Sequence, residues 1–437
     1  MSVFGPGKSF VDAPDPQDMG RCTRCGYCLT ECPTFVMSGL EMESPRGRIQ
    51  LIQAVADGRM PATAGLLAHL DLCIQCRACE PACPSGVPFG RVMERSRAMV
   101  LEQKGAAPWS WRLRKRLAAF FLARPQRLRF AVRLLRLYQR VGLQRLVRST
   151  RLLKLFPCHL YDIELFLPPL ADSSAEMQPS YTPAHSSAPA HRVALLVGCV
   201  TPHLYPNLNE ATVRVLQRNG CEVIVPPEQT CCGALHVHAG DLNGARELAR
   251  RNIDAFLPLS VEAVVVNAAG CSAAMKDYAH LLKDDPAYAE KAAQFSALVK
   301  DINEFLVSLP FDSKMGQVKG RVTYQDSCHL THAQGAKAQP RAVLQAIPGL
   351  ELVEMETPER CCGSGGVYNI VQPEMSWRLL KEKMADIAGT KARIIATANT
   401  GCMMQLEAGI RRYGPKGAHV AHVVELLDEA YRALDGD

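Results

Sequence analysis

Cys22-Thr-Arg-Cys-Gly-Tyr-Cys-Leu-Thr-Glu-Cys-Pro33 and, 51 residues later, Cys73-Ile-Gln-Cys-Arg-Ala-Cys-Glu-Pro-Ala-Cys-Pro84 share one spacing, C-x2-C-x2-C-x3-C-P. Thiolates are soft ligands, and three of them two residues apart can wrap one face of a small iron–sulfur cluster. The fourth is displaced by the longer spacer and the proline, and in two-cluster proteins of this pattern it completes the other cluster. The spacing therefore assigns one [4Fe–4S] cluster to Cys22, Cys25, Cys28 and Cys83, and a second to Cys73, Cys76, Cys79 and Cys32. Zinc also uses C-x2-C pairs. Two complete four-cysteine runs, each closed by proline, disfavour it.

The insert between the runs, 37–72, places Ile49, Leu51, Ile52, Val55, Leu66, Leu67 and Leu70 at helical spacing, which predicts a helix-rich two-cluster domain. Within it, Ser44-Pro-Arg-Gly-Arg-Ile puts Arg46 and Arg48 where they either face the anionic clusters or lie solvated at a helix start.

A length of 437 residues exceeds one ordinary core, so two or three domains are expected. Eighteen cysteines need an explanation. The first residues, Met-Ser-Val-Phe-Gly-Pro-Gly-Lys, lack the charged head and apolar run of a secretory signal, so metal or redox chemistry explains the thiols better than disulfides. No apolar run reaches the ~18–20 residues needed to cross a bilayer.

The net charge of +7 conceals an asymmetry: residues 103–161 hold 15 Lys or Arg and no Asp or Glu, leaving 35 basic against 43 acidic side chains elsewhere. In Arg133-Leu-Leu-Arg-Leu-Tyr-Gln-Arg140 basic and apolar residues alternate so that a helix would present one face of each kind, suited to an anionic membrane surface. A basic interface for an acidic subunit, or a solvated face, fits as well. The Ser-, Pro- and Ala-rich 171–191 reads as a linker.

Beyond it the cysteines are duplicated again. Cys199, Cys231-Cys232-Gly233 and Cys271 are matched by Cys328, Cys361-Cys362-Gly363 and Cys402, at gaps of 31 and 38 residues in the first set and 32 and 39 in the second. In each set strand-like runs precede the first and last cysteine, a third strand and helical segments lie between, and two parallel α/β lobes follow. Their thiols should converge at the carboxyl edge of the strands, where such sheets bind ligands. Gly233 and Gly363 allow the sharp turn that vicinal cysteines need.

Two ferredoxin runs followed by two Cys-Cys-Gly (CCG) units resemble the iron–sulfur subunit of glycolate oxidase, with relatives in the CCG-containing subunit of heterodisulfide reductase, anaerobic glycerol-3-phosphate dehydrogenase and lactate utilisation. The likeness runs from about Arg21 to Leu434 and includes Ser44-Pro-Arg-Gly-Arg-Ile, Cys83-Pro-Ser-Gly-Val, Arg251-Asn-Ile-Asp-Ala-Phe and Thr397-Ala-Asn-Thr-Gly-Cys402. The resemblance implies an alpha-helical ferredoxin domain, here 1–105, then a basic helical segment, 106–170, the linker, 171–191, and two CCG lobes, 192–315 and 316–437: an α+β multidomain chain. One departure stands out. The heterodisulfide reductase pattern closes each lobe with C-x2-C, and Ala268 and Asn399 occupy the first of those positions here. Each lobe thus offers four thiols, for a further cluster or for dithiol chemistry.

With no G-x-G-x-x-G fingerprint and no P-loop, flavin and nicotinamide are expected on another subunit. The resemblance implies that an FAD-containing partner oxidises a 2-hydroxy acid such as glycolate, and that this chain relays electrons toward a quinone or other acceptor, in the cytoplasm or against the inner-membrane surface. No residue is assigned a catalytic role. His236, His238, His329, His332 and Tyr368 are candidates for moving protons beside the CCG thiols. A thiol–disulfide reductase is the competing expectation, and a nucleic-acid-binding scaffold the weakest, because no reading module accompanies the basic stretch.

Overall fold

The structure is a computed structural model that describes residues 12–102, 125–156, 160–170, 177–183 and 189–436. Parts of the basic stretch, 103–124 and 157–159, and of the linker, 171–176 and 184–188, lie outside the described residues.

The N-terminal region is helical, as the 37–72 pattern predicts. Ser44 caps the helix Pro45–Ala56 by accepting from Gly47 N, Pro45 sits at its first turn, and Thr63 caps the helix Ala64–Asp71 in the same way. Ile49, Ile52, Val55, Leu66, Leu67 and Leu70 are buried against Val92, Met93 and Met99 of the helix Phe89–Glu102, in a core edged by Cys22, Cys28 and Cys83.

The C-terminal half holds two sheets. In the first, β2 (His191–Leu196) lies between β3 (Cys221–Ile224) and β4 (Ala263–Val266), with β5 (Val299–Asp301) beyond β4, all parallel. In the second, β6 (Gly320–Tyr324) lies between β7 (Leu350–Leu352) and β8 (Ile394–Thr397), with β9 (His419–His422) outside β8. Both follow one strand order. Central strands such as β4 and β8 are buried along their whole length, as parallel strands covered by helices on both faces must be.

Two features go beyond the sequence reading. Each sheet has a fourth parallel strand, β5 and β9, and the stretch read as linker contributes β1 (Ser180–Tyr181), an antiparallel edge strand pairing Ser180 with Ile224 and Tyr181 with Val223. Three-residue β5 and the polar ends of β9 carry too little apolar periodicity to be read as strands. The two sheets also share one hydrophobic core: Val193, Val223 and Val265 belong to the same buried group as Val322, Tyr324 and Ile394. The helices Pro206–Arg218 and Val423–Asp435 pack within it and are locked by Arg214, which donates to both carboxylate oxygens of Asp428 at 2.9 and 2.6 Å.

Candidate functional site

In both N-terminal runs the backbone between cysteines is left-handed at matching positions: Arg24 and Gly26 in the first, Gln75 and Arg77 in the second, with φ of 62° and 93° against 57° and 61°. L-residues avoid this region unless the surroundings impose it. Here the left-handed residues fall at the same places within the two cysteine loops. Cys32, Cys73, Cys76 and Cys79 line one cavity, the set assigned to the second cluster. Burial pushes the Cys76 and Cys79 thiols well up, so loading iron there must displace protons.

Arg48 lines the same cavity and is fully buried. It donates to Glu43 Oε2 at 2.7 Å, to the Glu43 carbonyl at 2.5 Å, to Thr34 Oγ1 at 3.1 Å and to the His69 carbonyl at 2.8 Å. Thr34 Oγ1 in turn stands 3.3 Å from Cys32 Sγ. Arg46 instead arches over the first run, donating to the Arg24 carbonyl at 3.1 Å while paired with Glu41. Of the two proposed placements for these arginines, the structure takes the one beside the thiols. The first run is more open: Cys25 is exposed, Tyr27 is 68% exposed, and Arg21 reaches toward the Gly86 carbonyl at 3.4 Å, tying this run to the segment that follows Cys83.

The lobe cysteines converge at the carboxyl ends of the strands, as expected. Cys199 Sγ lies 3.5 Å from Cys231 Sγ, and Cys232 neighbours both Cys231 and Cys271, all as free thiols. Receiving hydrogen bonds from Cys199 and Cys232 holds the Cys231 thiol well below its ordinary value. In the second lobe Cys361 neighbours Cys328 and Cys362, and Cys362 also neighbours Cys402, all as free thiols; the proximity of Cys361 pushes the Cys362 thiol up to about 12. Gly233 and Gly363 adopt φ of +82° and +91°, and a Cβ on Gly363 would meet the Ser376 carbonyl at 2.7 Å.

The two turns are held by different side chains. In the first, Asn252 donates to the Cys231 carbonyl at 3.1 Å and Tyr278 to the Cys232 carbonyl at 2.8 Å. In the second, Gln405 donates to the Cys362 carbonyl at 3.2 Å and Ser376 to the Gly363 carbonyl at 2.8 Å. Nothing in the local sequence marks these four residues, because their role depends on where helices from elsewhere in each lobe return to the turn.

One juxtaposition was not legible in the spacing. Cys76 and Ile74 of the second run pack with Cys361, Tyr368 and Leu379 of the second lobe in one buried group, with Cys328 at its edge. Tyr368 donates to the Leu72 carbonyl at 2.9 Å, and His329 Nε2 lies 2.9 Å from the Gln75 carbonyl. The first lobe is joined to the N-terminal domain separately. Buried Arg97 donates to the Leu70 and Cys73 carbonyls and, at 2.7 Å, to the His238 carbonyl.

Among the proton-handling candidates, His238 and His329 stack edge to face at 5.3 Å between centroids, and burial keeps both neutral, His329 at about 4. His236 pairs with Asp241 at 3.0 Å and His332 approaches the Glu359 carbonyl at 3.4 Å. Lys383, which the sequence reading did not single out, is buried beside Cys361 and Cys362 and donates to the Thr357 carbonyl at 2.6 Å.

Family models match in the same order as these parts. A 4Fe–4S dicluster domain matches 18–87, the linker region of the glycolate oxidase iron–sulfur subunit 112–167, and a cysteine-rich domain twice, 193–276 and 322–407. The chain is 43% identical over 429 residues, 96% of each chain, to the "Probable glycolate oxidase iron-sulfur subunit" of Bacillus subtilis. It belongs to the glycolate oxidase iron–sulfur subunit family. The Escherichia coli glycolate oxidase iron–sulfur subunit is 33% identical over 94% of this chain and 93% of its own. Lactate utilization protein A of Oceanobacillus iheyensis is 36% identical over 54% of this chain and 96% of its own. As a member of this family the chain is an electron-transfer iron–sulfur protein of the oxidoreductase class, built for several 4Fe–4S clusters. Among the described residues no helix is long and apolar enough to cross a membrane.

Proposed function

We propose that this chain is the electron-transfer subunit of a complex that oxidises glycolate or a similar 2-hydroxy acid, with an FAD-containing partner performing the oxidation and a quinone, or another acceptor, receiving the electrons. Near-complete coverage by glycolate oxidase subunits supports the substrate class. Cys22, Cys25, Cys28 and Cys83 would hold one [4Fe–4S] cluster, and Cys73, Cys76, Cys79 and Cys32 a second; the four-thiol donor set and the cavity walled by the latter fit such a group. Cys199, Cys231, Cys232 and Cys271, and likewise Cys328, Cys361, Cys362 and Cys402, offer four thiolates each for a further cluster. When bound, such clusters take up and release single electrons at potentials set by charge, hydrogen bonds to sulfur and exposure.

The chain's own residues organise this. Exposed Cys25 and Tyr27 leave the first run accessible to a partner, whereas buried Cys73, Cys76 and Cys79 exclude water from the second. The observation that carries the proposal is the single buried group containing both Cys76 and Cys361, which brings the dicluster domain and the second lobe into dry contact.

The basic segment supports peripheral attachment to an anionic membrane, where a lipid-soluble acceptor resides. The helices Pro125–Arg140 and Leu143–Thr150 leave Phe130, Leu134, Leu137 and Leu146 exposed among Arg129, Arg133 and Arg145. Iron and acid-labile sulfide per chain, measured after anaerobic purification, test the assignment. About eight of each leaves the lobes as dithiol sites, about twelve to sixteen places clusters in them, and fewer than about eight defeats the two-cluster reading.

A further inference from the structure

Ala268 and Asn399, the two positions that break the five-cysteine pattern, lie beside the seam between the lobes, where Ala269 meets Ala398 and Gly270 meets Asn399. Ala268 precedes the helix Ala269–Lys276 and Asn399 the helix Thr400–Tyr413, each in extended conformation at the helix start. Ala269 N donates to the Ala398 carbonyl at 3.2 Å, and both alanines are fully buried with Leu330 and Ala336. Asn399 spans this seam: its Nδ2 donates to Cys402 Sγ at 3.5 Å, and its Oδ1 accepts from Gly270 N at 3.3 Å, in the turn that leads to Cys271. Its amide is thus oriented from both ends, by a sulfur of one lobe and a backbone N–H of the other.

We propose that Asn399 is a positioning residue that binds the two thiol sites into one unit and, through its N–H···S bond, raises the reduction potential of the second-lobe site only. Hydrogen bonds to a ligating sulfur withdraw charge from it and so favour the reduced, more negative cluster. Ala268 carries no donor to do this for the first lobe, so two duplicated sites become unequal. The proposal rests on the reading that the second lobe holds a cluster with Cys402 among its ligands.

The test is an EPR-monitored redox titration of the full chain, preceded by iron analysis, for wild type, Asn399→Leu and Asn399→Ser. Serine suits a helix N-terminus and so preserves the fold, but is too short to reach Cys402. The signal abolished by Cys402→Ala should shift to lower potential in both variants, by about tenfold in the equilibrium constant for reduction, or about 59 mV for one electron. Gly363 N also donates to Cys361 Sγ, at 3.4 Å, so after transfer to D2O the exchangeable-deuteron coupling of that signal should weaken by the Asn399 contribution rather than vanish, while the other signals stay in place. Iron of about twelve or more per chain with an unshifted potential, or with the deuteron coupling undiminished, overturns the role of Asn399. Iron of about eight per chain overturns the underlying cluster reading instead.

Discussion

Asp301 ends β5 and caps the helix Ile302–Ser308, and it does so with no exposure to solvent. Its Oδ1 accepts from Asn303 N at 2.9 Å and from Asn303 Nδ2 at 2.8 Å, whereas Oδ2 is buried without a partner. Burial, opposed by the Asn303 bonds and reinforced by neighbouring Glu304, pushes its carboxyl up to about 7. An unfolded Asp loses its proton near pH ~3.9. Between about pH 4 and pH 7 the folded state therefore holds a proton that the unfolded state has released, and stability falls as pH rises until the folded group also ionises. A gap of about three units amounts to about 4 kcal/mol in all, at 1.36 kcal/mol per unit. Asn at 301 keeps the cap and the Oδ1 acceptor and never ionises. Asp301→Asn should thus gain on wild type by about 1.4 kcal/mol between pH 6 and pH 8, and level off above that. Anaerobic urea unfolding followed by far-UV circular dichroism at pH 6, 7 and 8 measures the gain. Parallel displacement of the two proteins at all three values would refute the assignment of a buried acid titrating near neutrality.

Arg48→Met should cost about 3–5 kcal/mol, because it strands the Glu43 carboxylate in the interior, and pairing it with Glu43→Gln should recover part of that loss in the same unfolding assay. Gly363→Ala forces a Cβ against the Ser376 carbonyl at a left-handed residue; a loss of about 1–3 kcal/mol is expected, with no comparable effect at Gly389, which has open space around it. Charge reversal at Arg129 and Arg133 should weaken co-sedimentation with anionic vesicles at least tenfold and leave binding to neutral vesicles unchanged; equal retention on both would remove the membrane reading. Removing iron with a chelator should lower the unfolding midpoint most for signals from the helices around Ile52 and Leu70, since the cysteine loops that cap that core lose their common anchor.

Much of this molecule is written in local spacing. The two N-terminal runs differ at nearly every non-cysteine position, yet they fold with left-handed residues at the same places, because the thiol spacing constrains the loop more than its other side chains do. The helix Pro45–Ala56 was legible for a similar reason, its cap, first-turn proline and apolar stripe all lying within one short window. What was not legible depends on return contacts. The edge strand Ser180–Tyr181 has no strand-like composition and exists only because β3 offers it an unpaired edge. Gln405 and Tyr278 reach the cysteine carbonyls from helices whose patterns report burial but not the neighbour they bury against.

The duplication is kept and lost in different parts of each lobe, and the pattern has a physical cause. Strand order, the positive-φ glycine and the positions of the four thiols are common to both, since these are needed to bring cysteines from three loops to one edge of a sheet. The side chains that hold the thiols differ because the two sites face different surroundings. Cys231 and Cys232 pack inside the first lobe among Leu248, Phe256 and Tyr278, so that lobe can complete its own site. The second lobe divides its cysteines: Cys362 and Cys402 lie in its interior with Trp377 and Leu406, while Cys361 and Cys328 face Ile74 and Cys76 of the dicluster domain. Only one wall of that second site is therefore built by its own lobe. Its geometry depends on the second N-terminal run being folded around it, and loss of order at Cys73, Cys76 and Cys79 should loosen Cys361 and Cys328 while leaving Cys231 and Cys232 in place.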